Sequence, residues 1–333
     1  DLVLKDFCSS GYKNQAAIIR RMDTDFKQGR GQNYFKNVVA AGLVSKYTYG
    51  QWEDIFYKGG AWFLCRYDEN GKRECMETPL AYAFYLSGSE HDKGNSYPYV
   101  KTIIFDEFIS RYGYLPDEFV LFTNTLSTII RQRGDVRVFM LGNTVNKYCP
   151  YFGEMGLSHV KEMKHGDIDI YTYGETGELT VAVEYTAPNI KGKTSDKYFA
   201  FDNPKLKMIT RGEWEINIYP HLPAKYKPKD ILFTFFVIFG DDILHADIVS
   251  INNDIFIYMH KKTTPIKDEM TDYVFTEEYS AKPNYHRNIL LPTDKAGQKI
   301  YDLIKADKVF FQTNDIGEIF RNYVLSCGKG WKN

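Results

Sequence analysis

The sequence predicts an α/β protein whose first 150 residues build a parallel sheet and whose remainder is richer in antiparallel strands. Three observations lead there. VKTIIF (100–105) is a continuous apolar strand of the kind buried on both faces of a sheet. DEFVLFTNTLSTIIRQR (117–133) then places Phe119, Phe122, Leu126 and Ile129 at helical spacing, and VRVFMLGN (136–143) is a second apolar strand, so strand, helix and strand alternate. Past Pro150 the pattern changes to half-apolar alternation, DIDIYTY, ELTVAVEY and EINIYP, separated by turn residues.

Taken in order, residues 1–10 predict the end of a helix with Gly11 as its C-terminal cap, and QAAIIRR (15–21) a strand that runs into two arginines. A helix is expected over 33–44. AWFLCRY and the apolar run ending near Leu86 read as strands, with a turn at DENGK (68–72). Asp117 and Glu118 suit the positive end of the helix that follows, and Arg131 and Arg133 its negative end. HLPAKYKPKD (221–230) reads as a linker, followed by strands at 231–239, 243–250 and 254–260 with tight turns at GDD and NND, and by helices near 294–306 and 314–326. The expected layout is 1–155, a β-rich linker region 156–228, and a C-terminal domain 229–333.

With 333 residues, 44% hydrophobic and 26% charged, the chain can bury a core in each of two domains. A formal net charge of −1 gives no global nucleic-acid signature, so such contacts must come from local patches. The apolar run ILFTFFVIFG (231–240) is shorter than the roughly 20 residues a membrane helix needs, so no membrane partner is expected. Five cysteines, at 8, 65, 75, 149 and 327, form no Cys-x-x-Cys pair and no zinc spacing with histidine, which predicts reduced thiols.

The chemistry concentrates where VKTIIF ends in Asp106 and Glu107. A buried strand has no structural need for two adjacent acids, because an unpaired buried charge is costly. In open α/β sheets ligands bind beyond the carboxyl ends of the strands. Four apolar or β-branched residues followed by Asp-Glu form the Walker B pattern of nucleotide hydrolases. There the Asp holds magnesium against the terminal phosphates and the Glu takes a proton from the attacking water. Asn143, at the next strand end, is suited to sense a γ-phosphate by hydrogen bonding.

KGNSYPYVKTIIFDEF and LSTIIRQRGDVRVFMLGNTVNKYCPYF, with IIRR (18–21) upstream, resemble the DNA-packaging ATPases of phi-29-type tailed phages. The resemblance is close over 18–152 and looser beyond 155, where it rests on strand order and on NYH (284–286). It implies an ASCE-type P-loop ATPase domain on a parallel sheet, a β-rich linker and a small α+β domain of the RNase H type with a vestigial nuclease site. It further implies ATP and Mg2+ as cofactors, with Asp106 the magnesium-associated acid and Glu107 the catalytic base. Asn143 falls on the motif that couples hydrolysis to movement, and Arg131 matches an arginine finger presented to a neighbouring subunit. Lys93 matches a lysine that reaches the neighbour's nucleotide, Arg20 and Arg21 a basic pair near the nucleotide, and Arg133 completes the R-x-R pair. Double-stranded DNA, a prohead or portal protein, a structural packaging RNA and a homomeric ring, a pentamer by resemblance, are the implied partners. The implied location is the prohead in the host cytoplasm.

One departure from the family is plain. No G-x-x-x-x-G-K-[ST] stands in this sequence, and the expectation is that the phosphate-binding loop lies N-terminal to Asp1. Two other readings compete. A metal-dependent nuclease would need clustered carboxylates from among Asp241, Asp242, Asp247 and Asp254, three of which fall in turns where Asp is the expected residue. A catalytically silent nucleic-acid-binding subunit would use Lys225, Lys227, Lys229, Lys261 and Lys262, which read equally well as solvated surface lysines.

Overall fold

The structure is a computed structural model, and it describes residues 1–88, 94–111, 113–144, 146–186, 214, 217–222, 225–262, 266 and 271–328. The chain forms two compact units, Asp1–Asn143 and Thr144–Asn333.

The first unit opens with α1 (Leu2–Ser9), which buries Val3, Leu4 and Phe7 and ends ahead of Gly11 at φ 69°. β1 (Gln15–Arg20) follows, buried along nearly its whole length. Three short helices then replace the single expected one: α2 (Arg30–Asn33), α3 (Lys36–Ala40) and α4 (Leu43–Tyr47). Gly42, at φ 68°, breaks the run in a left-handed turn that a continuous helix does not allow. The remaining elements are β2 (Asp54–Lys58), β3 (Ala61–Tyr67), β4 (Arg73–Cys75), β5 (Ala81–Tyr85), β6 (Val100–Asp106), α5 (Glu118–Ile130) and β7 (Arg137–Leu141).

The seven strands form one sheet in the order β2-β3-β5-β1-β6-β7, with β4 paired to β3. β5, β1, β6 and β7 run parallel, while β2, β3 and β4 add an antiparallel wing. The parallel sheet expected from the alternation of strand and helix is present. β7, expected to be buried, is instead the edge strand, and Val138 and Leu141 are exposed. One face of the sheet closes on Trp62, which packs against Phe26, Tyr34, Phe35 and Tyr57 and donates its indole N–H to the Gly31 carbonyl. Phe122 of α5 stacks on Phe105 of β6, the centroids 5.1 Å apart, which fixes the helix to the strand that carries the two acids. Cys65 and Cys75, directly opposite on β3 and β4, are joined as a disulfide; this corrects the expectation of five reduced thiols. Spacing along the sequence gave no sign of a bridge that depends on strand register.

The second unit contains α6 (Pro150–Glu154), the exposed hairpin β8 (Ile168–Tyr173) and β9 (Leu179–Glu184), and then β10 (Ile231–Phe239), β11 (Asp242–Ile251), β12 (Asp254–Lys261), β13 (Tyr273–Thr276), β14 (Tyr285–His286), α7 (Lys295–Lys305), β15 (Val309–Phe311) and α8 (Asn314–Gly328). Residues 217–220 of the expected strand EINIYP carry no strand, while 215 and 216 lie outside the described residues. β10 to β15 form a six-stranded sheet ordered β14-β13-β10-β11-β12-β15. β10, β11 and β12 are an antiparallel meander, and β13, β14 and β15 add in parallel. Phe235, Val237, Leu244, Ala246, Ile257 and Met259 face α7 and α8 to make its core. Asp294 caps α7 by accepting from the Gly297 amide at 2.8 Å. Among the described residues no helix is long and apolar enough to cross a membrane.

Candidate active site

Register brings the first charged groups together. β1 and β6 pair in parallel with Ile19 level with Phe105, so Arg20 and Asp106 close their strands side by side at the carboxyl edge of the sheet. Arg20 Nη1 donates to Asp106 Oδ2 and Nη2 to Glu107 Oε2, each at 2.7 Å. One guanidinium thus forks across both acids, and this is the pairing that two adjacent carboxylates at a buried strand end require. The Asp106 side chain is 27% exposed and that of Glu107 61%, so both oxygens remain open to a ligand beyond the strand ends.

β6 stops at Asp106 because Glu107 turns into the left-handed region at φ 58°. That conformation costs a non-glycine residue on the order of 1–3 kcal/mol and persists only when its surroundings impose it. Here Arg21 imposes it. Its Nη1 and Nη2 hold the carbonyls of Glu107 and Phe108 at 3.3 and 2.8 Å. The other side of the same guanidinium is locked by Glu118, Nε to Oε2 at 2.8 Å and Nη2 to Oε1 at 2.9 Å. Glu118 is buried and also accepts from the Leu115 amide at 2.6 Å. Its place near the start of α5 suggested only a helix-dipole contact; its role as Arg21's partner across 97 residues has no local sequence signal. Neither arginine pairs with Asp23 or Asp25: Asp23 pairs with Lys27, and Asp25 accepts from the Met22 amide.

Tyr34 also reaches this edge. Burial, with the Asp106 charge beside it, holds its hydroxyl well above the usual range, so the phenol stays neutral next to the carboxylate. Gly142 lies at the end of β7 against Ile109 and Phe108; a Cβ there would stand 2.7 Å from Ile109 Cγ1. Asn143, exposed, follows on the same edge, two residues past Leu141, the register partner of Asp106.

The two arginines after α5 have different surroundings. Arg133 Nε and Nη2 donate to the Ile130 and Ile129 carbonyls, which closes the helix C-terminus, and its Nη1 lies 3.9 Å from Asp135 Oδ1. Its Nη1 and Nη2 also reach the carbonyls of Pro98, Val100 and Tyr97, at 3.0, 2.7 and 3.1 Å. Arg131, at φ 46°, swings away from that knot; its side chain is exposed and donates to the Asn95 carbonyl at 2.6 Å. Lys93 lies outside the described residues.

The four carboxylates that a nuclease would draw on do not gather among the described residues. Asp241 is exposed in a turn, Asp242 lies 3.8 Å from Lys261 and Asp254 3.8 Å from Lys308, while Asp247 is buried in mid-strand. Lys225, Lys227 and Lys229 are exposed.

Residues 66–171, which hold Asp106, Glu107, Arg131, Arg133 and Asn143, match the family model of the Podovirus DNA encapsidation protein (Gp16). The DNA packaging protein of Bacillus phage B103 is 40% identical over 91 residues, 26% of this chain and 28% of that protein. That of Bacillus phage phi29 is 40% identical over 86 residues, 25% of this chain and 26% of that protein. The matched stretch therefore spans little more than a quarter of these relatives. A solved chain described as belonging to the bacteriophage Phi-29 viral genome packaging motor assembly superimposes with a TM-score of 0.50 at 18% identity, over 97% of this chain and 89% of that one. The likeness of fold thus runs along nearly the whole chain, and the likeness of sequence is confined to the part that holds the acids. In the matched segment and in fold, the chain is similar to the DNA-packaging proteins of phi29-type phages.

Proposed function

We propose that this chain is part of a viral DNA-packaging motor ATPase of the phi29 type, in which residues 1–155 are an ASCE-type ATPase domain. The observation that carries this reading is the Asp106–Glu107 pair at the carboxyl end of a central parallel strand, inside the stretch that matches the Gp16 family model. In this reading Glu107 removes a proton from the water that attacks the terminal phosphate of ATP, work worth about 10²–10⁴ in rate. Its strained backbone and the clamp of Arg21 on its carbonyl aim it beyond the sheet.

Asp106 fits a hard cation: Mg2+ takes one or two carboxylates and keeps its waters, and a strand-end carboxylate that is partly open offers that. Bound there, Mg2+ would neutralise charge on the terminal phosphates. Arg20 has the fork geometry for phosphate as well as carboxylate, so an arriving triphosphate competes with Glu107 for its second N–H pair. Arg20 thereby holds the base in place before the nucleotide is bound. Asn143 senses the γ-phosphate from the neighbouring strand end, and Arg131 and Lys93 serve the nucleotide of an adjacent subunit. Arg21 is the support beneath Glu107, whereas Arg133, which holds the carbonyls of Tyr97, Pro98 and Val100 at the amino end of β6, supports the opposite edge of the sheet.

We read residues 156–228 as the linker region and 229–333 as an RNase H-like domain. The support is the sheet order, an antiparallel meander with a parallel strand added on each side, β13 against β10 and β15 against β12. A nuclease role is disfavoured because Asp242 and Asp247 are separated along one strand by about 16 Å, at roughly 3.3 Å per residue. The motor would act as a homomeric ring, a pentamer in the phi29 type, on a prohead in the host cytoplasm. Its partners would be double-stranded DNA, the portal and a packaging RNA.

The test is Glu107→Gln in the full-length protein. Nucleotide binding should persist while steady-state ATP hydrolysis falls at least about 100-fold, because the variant loses the base and keeps Asp106. Hydrolysis at the wild-type rate would overturn the assignment.

A further inference from the structure

On the face of the second sheet turned away from the helices, strand register assembles a group that the packaging reading does not use. β11 and β12 are antiparallel with His245 opposite His260, and Asp247 lies two residues along β11, hence on the same face as His245. The intervening Ala246, with Leu244 and Ile248, points into the core. His245 Nε2 is 3.0 Å from Asp247 Oδ1 and His260 Nε2 is 3.8 Å from Asp247 Oδ2; one ligand atom from each of the three falls within a 4.8 Å span. The imidazoles stack at 4.4 Å.

We propose that His245, Asp247 and His260 form a binding site for a divalent transition metal ion of the Zn2+ class, with its fourth position open to water. Three features carry the assignment. Ligand atoms about 2.0–2.1 Å from a tetrahedral ion stand about 3.3 Å apart, and one ligand atom from each of the three residues falls within a 4.8 Å span, close enough to converge on one ion. His260 Nε2 stands 3.8 Å from Asp247 Oδ2, a gap that an ion held between the two would bridge. The carboxylate is also oriented from behind. Tyr226 donates to Oδ2 and Thr234 to Oδ1, both at 2.8 Å, the kind of support that ligating carboxylates receive from their surroundings. Asp247 is 3% exposed while the histidine side chains are 25% and 28% exposed, so an anionic floor lies beneath two nitrogens that solvent reaches.

The donor set decides the metal. Two imidazoles and one carboxylate suit Zn2+ and its neighbours, whereas Mg2+ and Ca2+ take oxygen ligands. The site is therefore independent of the magnesium chemistry proposed for the first unit, and the inference does not rest on that proposal. With two ligands on β11 and one on β12, the ion ties adjacent strands and stabilises the folded state by mass action.

The experiment uses the whole chain, stripped with chelator and dialysed against ZnCl2 alone, with metal counted by elemental analysis and MgCl2 as the control. One Zn2+ per chain and a zinc-dependent rise in melting temperature are expected. His260→Gln and His245→Gln should each weaken binding by more than the roughly 10–100-fold that loss of an outer-shell partner costs, and should abolish the thermal shift. A Co2+ titration of the unmodified chain gives a reading that needs no variant: nitrogen and oxygen ligation produces visible d–d bands without a thiolate charge-transfer band. No stoichiometric Zn2+ in the wild-type chain, binding unaltered in both variants, or a cobalt–thiolate band would each overturn the proposal.

Discussion

Arg20 and Arg21 are adjacent in sequence and take opposite tasks. Arg20 holds the two acid side chains, whereas Arg21 ignores them and holds the backbone that presents the second. The strength of that second clamp rests on Glu118, whose side chain is 2% exposed against 16% for Arg21. Removing Glu118 takes away a charge-assisted pair, worth about 1.5–3 kcal/mol, while Arg21 keeps its bonds to the Glu107 and Phe108 carbonyls. Glu118→Ala is therefore expected to destabilise the protein by about 2 kcal/mol in urea unfolding, and Glu118→Gln, which keeps some hydrogen bonds, by less. Equal, small effects of both would mean that the pair contributes little. Gly142 offers a second check at the same edge. Its substitution by Ala drives a methyl into Ile109 and Phe108, and overpacking of this kind costs about 1–3 kcal/mol. Thermal unfolding of Gly142→Ala should show that loss.

Helices and strands were legible in the sequence where they were long and amphipathic. β6, α5, β10, β11, β12, α7 and α8 all appear within a few residues of their expected bounds, because burial on one face or both imposes a period the sequence displays. What was not legible was decided by distant chain. β13, β14 and β15 are two to four residues long, too short to carry a period, and exist because β10, β13 and β12 in turn offer them edges. β7 has the composition of an interior strand, but its place at the end of the sheet is a fact of topology. Of the site, the acids and their strand could be read directly, since a buried strand ending in two acids conflicts with simple burial. Glu118, Tyr34 and the histidine cluster could not, because register and long-range pairing create them. The disulfide belongs to this class too. Under denaturing conditions without reductant the chain should show three reactive thiols, Cys8, Cys149 and Cys327, and five after reduction. Five at the outset would contradict the bridge. In the native state Cys8 should react slowly even at pH 8, since burial pushes its thiol up to about 11 and leaves little thiolate.

The proposed ring motor needs one group in each subunit that reaches past its own sheet, and Arg131 suits that task better than Arg133. Arg133 donates to five backbone carbonyls and cannot leave them without opening the end of α5. Among the described residues the Arg131 side chain, exposed, makes one hydrogen bond, to the Asn95 carbonyl, and a single such bond is worth only about 0.5–1.5 kcal/mol. A phosphate on a neighbouring subunit can outbid that contact, because arginine stays charged and bonds phosphate through two N–H groups. An arginine finger supplied in trans accelerates hydrolysis by roughly 10³–10⁵. If Arg131 instead only tethers Asn95, its loss costs a little stability and leaves turnover intact. Mixing subunits separates the two. Arg131→Ala and Glu107→Gln are each expected to be nearly inactive alone, the first for want of the finger and the second for want of the base. In a mixed ring, a Glu107→Gln subunit lends its arginine to an Arg131→Ala neighbour whose base is intact, and part of the ATPase activity returns. Near-normal hydrolysis by Arg131→Ala alone, or no recovery in rings verified to contain both subunits, would place Arg131 among the structural residues and leave the finger to be sought elsewhere.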